Sequence, residues 1–158
     1  KAIICKGKTI ELDIRRATIT VRNITFHTRL YHHDSLPYFP GPTIRMQAGS
    51  RCRIKLTNRL PPSKHTEACP YHENSYHCPD TTNLHTHGLH VSPLEDNIHT
   101  TVNAGGSHTY SYHPKESHLL GTHWYHAHKH GSTSLQVSGG LFGALIMDPS
   151  PSYRFPSD

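Results

Sequence analysis

Two short histidine strings, His85-Thr86-His87-Gly88 and His126-Ala127-His128, carry the side chains best suited to bind a metal ion. Side chains two apart on a β-strand point the same way. Each pair therefore projects together, and two such pairs on neighbouring strands would bring four imidazoles into one cluster. A nitrogen-only donor set suits copper, zinc or nickel, and copper(II) stands highest in the divalent affinity order. A single His-x-His is weak evidence, and buried histidines that merely hydrogen-bond are the plain alternative. Two pairs, each inside a longer string, are far more specific. The chain has 17 histidines against 11 acidic residues, and imidazole is the commonest metal-binding side chain. His90, His123 and His130 lie in the same strings and are expected at the surface or in support of the cluster. His32, His33, His72 and His77 are expected to be exposed, open to adventitious metal.

Positioning these residues requires strands. Ile10, Leu12 and Ile14 alternate with polar neighbours, as do Ile19 with Val21 and Ile24 with Phe26, a period-two signal for half-buried strands. Pro37-Tyr38-Phe39-Pro40-Gly41-Pro42 reads as a rigid turn before an extended segment at Ile44. Cys52, Ile54 and Leu56 share one face of a further strand and Arg51, Arg53 and Lys55 the other. Residues 60–82 resemble an inserted loop, 83–91 a short strand, 92–107 a loop and 121–130 another strand. The apolar run Leu141 to Met147 predicts a fully buried strand. No helix of ten residues is expected, although Ser132 to Val137 could make a short turn. Short strands at regular intervals predict an all-β, antiparallel Greek-key sandwich or barrel.

The 158 residues suit one compact domain, read as residues 1–149 with a polar, proline-rich tail over 150–158. Twelve prolines and eleven glycines fit many strands and turns rather than a helical bundle. No apolar run reaches the ~18–20 residues a membrane span needs, and a signal peptide is absent or already removed. The formal charge of +5 comes from scattered residues. Nucleic-acid binding would want them clustered with aromatics, so none is expected.

Four cysteines allow three pairings. Cys69 and Cys78 flank a polar stretch without strand pattern, so a disulfide closing that loop is the natural reading, with Cys5–Cys52 as the second bridge. Both imply an oxidising compartment, and the sequon at Asn23-Ile24-Thr25 agrees with secretion to the extracellular space or a periplasm. Free thiols are the alternative. A cysteine zinc site is disfavoured, since no C-x-x-C pair occurs.

Leu84-His85-Thr86-His87-Gly88, with Gly121-Thr122-His123-Trp124-Tyr125-His126-Ala127-His128, resembles the amino-terminal cupredoxin (plastocyanin-like) domain of multicopper oxidases such as laccases and ascorbate oxidase. Pro40-Gly41-Pro42-Thr43-Ile44-Arg45, Gly49 and Leu56-Thr57-Asn58-Arg59-Leu60 extend the likeness, and Gly139 to Met147 resembles the closing strand. The resemblance covers roughly residues 9–149 and implies copper as cofactor. It assigns His85 to a type 2 copper and His87, His126 and His128 to type 3 coppers.

The sequence departs from the family in two respects. The His-Cys-His string of a type 1 copper is missing: the only cysteine beside a histidine is Cys78, in His77-Cys78-Pro79, and neither Met46 nor Met147 follows such a string. A second set of four histidines is missing too. Four imidazoles cannot complete the coordination of three coppers, so the chain alone is expected to be a half-site without oxidase activity. A second cupredoxin domain or another subunit would complete the cluster, with dioxygen as the oxidant reduced. One reading is a piece of a longer laccase-like oxidase, the tail leading to a further domain. The other is a single-domain, non-catalytic copper-binding or structural extracellular module. A zinc site or a copperless relic is a third.

Overall fold

A computed structural model describes residues 2–62 and 75–154. Among the described residues the strands are β1 (Ile3–Cys5), β2 (Thr9–Val21), β3 (Ile24–His33), β4 (Leu36–Tyr38), β5 (Gly41–Gln47), β6 (Cys52–Asn58), β7 (His85–His87), β8 (Ser107–Tyr112), β9 (Gly121–His126) and β10 (Phe142–Asp148), with one short helix, α1 (Thr133–Ser138). They form two five-stranded sheets, ordered β1-β5-β10-β9-β7 and β4-β3-β2-β6-β8. The expected all-β sandwich is what the chain builds. Five strand pairs run antiparallel. Three, β1–β5, β5–β10 and β2–β6, run parallel. Period-two patterning reports which face is buried and is blind to the direction of the neighbouring strand.

The core is made where the alternation predicts it. Ile10, Leu12 and Ile14 of β2 and Cys52, Ile54 and Leu56 of β6 face inward beside Tyr110 and Tyr112 of β8. Ile44 and Met46 of β5 and Leu145 and Met147 of β10 meet them from the other sheet. β10 is central in its sheet, yet only Gly143, Leu145 and Met147 are buried and the alternate residues are half-exposed. It is therefore a one-sided strand, not the fully buried one that an unbroken apolar run suggests. The apolar alternation also misleads at the far end of the β2–β3 hairpin. β6 pairs with β2 only as far as Ile14–Asn58, and beyond that point Val21, Ile24 and Phe26 are exposed. Asn23 lies in the exposed turn of this hairpin.

Cys5 and Cys52 are joined by a disulfide, S–S 2.07 Å, which ties β1 to the start of β6 across the two sheets. Cys78 is also disulfide-bonded. Cys69, its expected partner, and His72 lie outside the described residues. No helix among the described residues is long and apolar enough to cross a membrane.

Candidate metal centre

The first histidine pair occupies the three-residue edge strand β7, which pairs antiparallel with β9 so that His85 lies opposite His126 and His87 opposite Trp124. A core tyrosine holds the entry to β7: the Leu84 backbone N–H donates to Tyr110 Oη at 3.0 Å. Just past His87 the chain adopts a left-handed conformation at Gly88, φ +95°, where a Cβ would come within 2.8 Å of His123 Nδ1. Glycine is required there by both conformation and space.

β9 is seated by Tyr125. Its side chain is buried on the face opposite His126, and its hydroxyl donates to the Pro42 carbonyl at 2.7 Å. Gly41 and Gly143 leave room for that ring: an added Cβ would meet the Tyr125 hydroxyl at 2.7 and 2.4 Å respectively. Pro37 and Tyr38 of the expected turn lie in β4, and Gly41 and Pro42 open β5, so the start of β5 is part of what fixes the metal-bearing strand. β9 ends at His126. His128 and His130, expected to continue it, lie in the connection to α1. His128 is placed instead by Asn83, whose side-chain oxygen accepts the His128 backbone N–H at 2.7 Å.

The imidazoles converge. One ring nitrogen from each of His85, His87 and His126 lies within 4.8 Å of the other two. The His128 ring centroid is 5.0 Å from that of His85 and 5.5 Å from that of His126. His85 and His126 are 5.2 Å apart, edge to face. Trp124 stacks on His126 at 4.2 Å and on His87 at 5.1 Å.

Hydrogen bonds choose the tautomers. His85 Nδ1 faces Asp96 Oδ2 at 2.6 Å. A carboxylate only accepts, so Nδ1 carries the proton and Nε2 keeps its lone pair. The other Asp96 oxygen accepts the Thr86 backbone N–H at 2.9 Å, and Tyr112 Oη lies 3.5 Å from it. Burial pushes the Tyr112 phenol well above its usual range, so it stays a donor. His126 Nδ1 donates to the Ala127 carbonyl at 2.9 Å. Its Nε2 is buried with no hydrogen-bond partner among the described residues. Burial lowers the His126 pKa below the ordinary imidazole value, and the neighbouring His85, His128 and His87 push the same way against the bond to Ala127. The ring is neutral at pH 7 and offers a lone pair. An orphaned buried acceptor costs about 1–3 kcal/mol, which a metal ion at Nε2 would offset. A histidine that gives one nitrogen to a carboxylate or carbonyl and leaves the other open is the usual form of a metal ligand. The donor set present fits copper.

Two positioning residues escaped sequence reasoning. Asp96 sits in the 92–107 loop, eleven residues from His85. Asn83 is fully buried and also donates to the Ile98 carbonyl at 2.7 Å, tying that loop to the centre. The remaining histidines divide by their bonds. His118 donates from Nδ1 to the Leu119 carbonyl and accepts the His90 N–H at Nε2, so both nitrogens are used. His32 and His33, expected to be exposed, are half-buried on β3 and bonded to the Leu30 and Glu11 carbonyls.

The comparisons with known proteins agree on one family. The multicopper oxidase family profile matches residues 71–152, just over half of the chain. The chain belongs to the multicopper oxidase family. L-Ascorbate oxidase of Cucumis sativus is 33% identical over 117 residues, covering 70% of this chain and 16% of that protein. A multicopper oxidase of Staphylococcus aureus is 26% identical over 119 residues, 75% of this chain and 22% of that one. The chain therefore spans about a fifth of the length of these relatives. Among solved structures, a Campylobacter jejuni multicopper oxidase described as a metallo-oxidase superimposes with TM-score 0.64 at 27% identity, covering 89% of this chain and 26% of that one. McoA of Aquifex aeolicus does so with TM-score 0.70 at 19% identity, covering 94% and 28%, a likeness of fold. This multicopper oxidase domain has the cupredoxin-type two-sheet architecture.

Proposed function

We propose that this domain supplies half of a type 2/type 3 trinuclear copper site in a laccase-like, oxygen-reducing oxidase. His85 would hold the type 2 copper, and His87, His126 and His128 the type 3 coppers. The observation that carries this reading is the buried, unpartnered His126 Nε2 set beside His85, whose own Nε2 is freed by Asp96. Copper bound there would supply the electron transfer that reduces dioxygen to water. The protein's part is to hold the four imidazoles at their spacing, Asp96 and the Ala127 carbonyl setting the tautomers of His85 and His126 and Asn83 placing the His128 backbone. A second cupredoxin domain or subunit would contribute the remaining ligands. The Cys5–Cys52 disulfide and the exposed Asn23 sequon favour a secreted or periplasmic setting.

No cysteine among the described residues is free, so none of them can serve as the thiolate of a type 1 copper. The copper-loaded chain alone is therefore expected to bind copper, show no blue copper–thiolate band and consume no oxygen with a phenolic reductant. Absorbance and an oxygen electrode read both. A strong blue band or sustained turnover from this chain alone would contradict the half-site reading. Absence of copper binding would contradict the ligand assignment.

A further inference from the structure

A second pair of imidazoles is set at ligand spacing outside the centre. The His77 and His130 ring centroids are 5.3 Å apart and tilted by 59°. The rings within the centre are separated by 5.0 to 5.8 Å. His77 is held in place. Its backbone N–H donates to the Gly131 carbonyl at 3.0 Å. Its Nδ1 donates to the Ser75 carbonyl at 2.8 Å, which leaves Nε2 with its lone pair, the same tautomer logic as at His85 and His126. A Cβ on Gly131 would come within 2.4 Å of the His77 ring. The ring thus lies against the segment that carries His130, and only glycine allows the approach.

His130 of this pair shares a cavity with the centre. A surface cavity of about 830 Å³ is lined by Ser75 and Tyr76, next to His77, by His130 and by His128 of the centre. None of the described residues that line it carries a carboxylate. Imidazoles without carboxylates favour late first-row ions over magnesium or calcium. A site with two protein ligands holds such an ion loosely enough to release it.

We propose that His77 and His130 form an outer, two-imidazole copper site from which the ion passes along the cavity to His128. The binding half stands on the pair alone. The delivery half rests on the reading of His128 as a ligand of the inner centre.

The test is copper(II) added to the protein, with bound metal counted by equilibrium dialysis and filling of the inner centre followed by stopped-flow quenching of Trp124, the chain's single tryptophan. H77Q/H130Q is expected to lose one weakly held ion and to fill the inner centre about tenfold more slowly, as loss of a local ion reservoir would cause, to the same final quench. H130Q alone, at an exposed position, is expected to do the same if replacing His77 disturbs packing on Gly131. H126Q/H128Q is expected to keep the outer ion and lose the quench. Unchanged stoichiometry and filling rate in both outer-site variants would overturn the proposal. An outer ion lost in those variants, with no inner filling even in the unaltered protein, would uphold the outer site and overturn the delivery step with the inner-centre assignment.

Discussion

Asp96 Oδ2 accepts a 2.6 Å hydrogen bond from His85 Nδ1 while Asp96 Oδ1 accepts the backbone N–H of Thr86. One carboxylate therefore fixes both the ring and the strand that carries it. Loss of such a partner typically lowers metal affinity by about 10–100-fold. Asp96→Ala is predicted to weaken copper binding within that range, and Asp96→Asn, which keeps an acceptor without the charge, to do so less. Competition titration against a chelator of known affinity reads the difference.

Asn83, two residues before β7, ties the His128 backbone to the 92–107 loop from a fully buried position. Asn83→Ala leaves the His128 N–H and the Ile98 carbonyl without this partner, at about 1–3 kcal/mol for each buried group left unpaired. The variant is predicted to unfold at lower denaturant and to lose copper affinity as His128 drifts. Equal stability and affinity would remove Asn83 from the account.

How much was legible in advance follows from where each constraint sits. The four histidines announce themselves because their two-residue spacing survives in sequence whatever the partner strand does. The core residues of β2 and β6 do so for the same reason. Asp96 and Asn83 carry no such mark: each is a polar residue in or beside a loop, and its role exists only once the chain brings His85 and His128 to it. The period-two pattern of histidines runs past His126 and carries the expected strand on through His128, whereas β9 ends at His126. The parallel pairing of β5 with β1 and β10 was likewise invisible, since alternation does not encode direction.

Gly143→Ala tests the seating of β9. The added methyl would meet the Tyr125 ring and hydroxyl from 2.4 Å upward. Overpacking of this kind costs about 1–3 kcal/mol, and displacement of Tyr125 should be felt at its neighbour His126. Thermal denaturation together with copper affinity is predicted to show both losses.

The pH dependence of the metal-free fold has a definite sign. Burial, assisted by His85, His128 and His87, lowers the His126 pKa in the folded protein. Above the unfolded value of about 6.5 the ring is neutral in both states and contributes nothing. Below it the unfolded chain binds the proton first, so stability falls as pH drops towards the folded value. His126→Gln is predicted to flatten that part of the profile. Denaturant midpoints at about pH 7.5 and about pH 5, on either side of the imidazole range, compare the two proteins.

The Cys5–Cys52 bridge closes a sequence separation of 47, worth about 4 kcal/mol on the loop-entropy relation. Replacing both residues with alanine is predicted to lower stability by up to that amount and leave the tautomers of His85 and His126 intact. Copper affinity measured where the variant is still folded should match the parent.

In the proposed site His85, His87, His126 and His128 together hold copper. Trp124 stacks directly on His126 and His87, so its fluorescence reports on the centre. Copper(II) titration of the protein, followed by that fluorescence and by bound-metal analysis, is predicted to give saturable quenching that survives in His32→Gln/His33→Gln and disappears in His126→Gln/His128→Gln, with loss of most tightly bound copper. Undiminished quenching and copper content in the His126→Gln/His128→Gln protein would contradict the account.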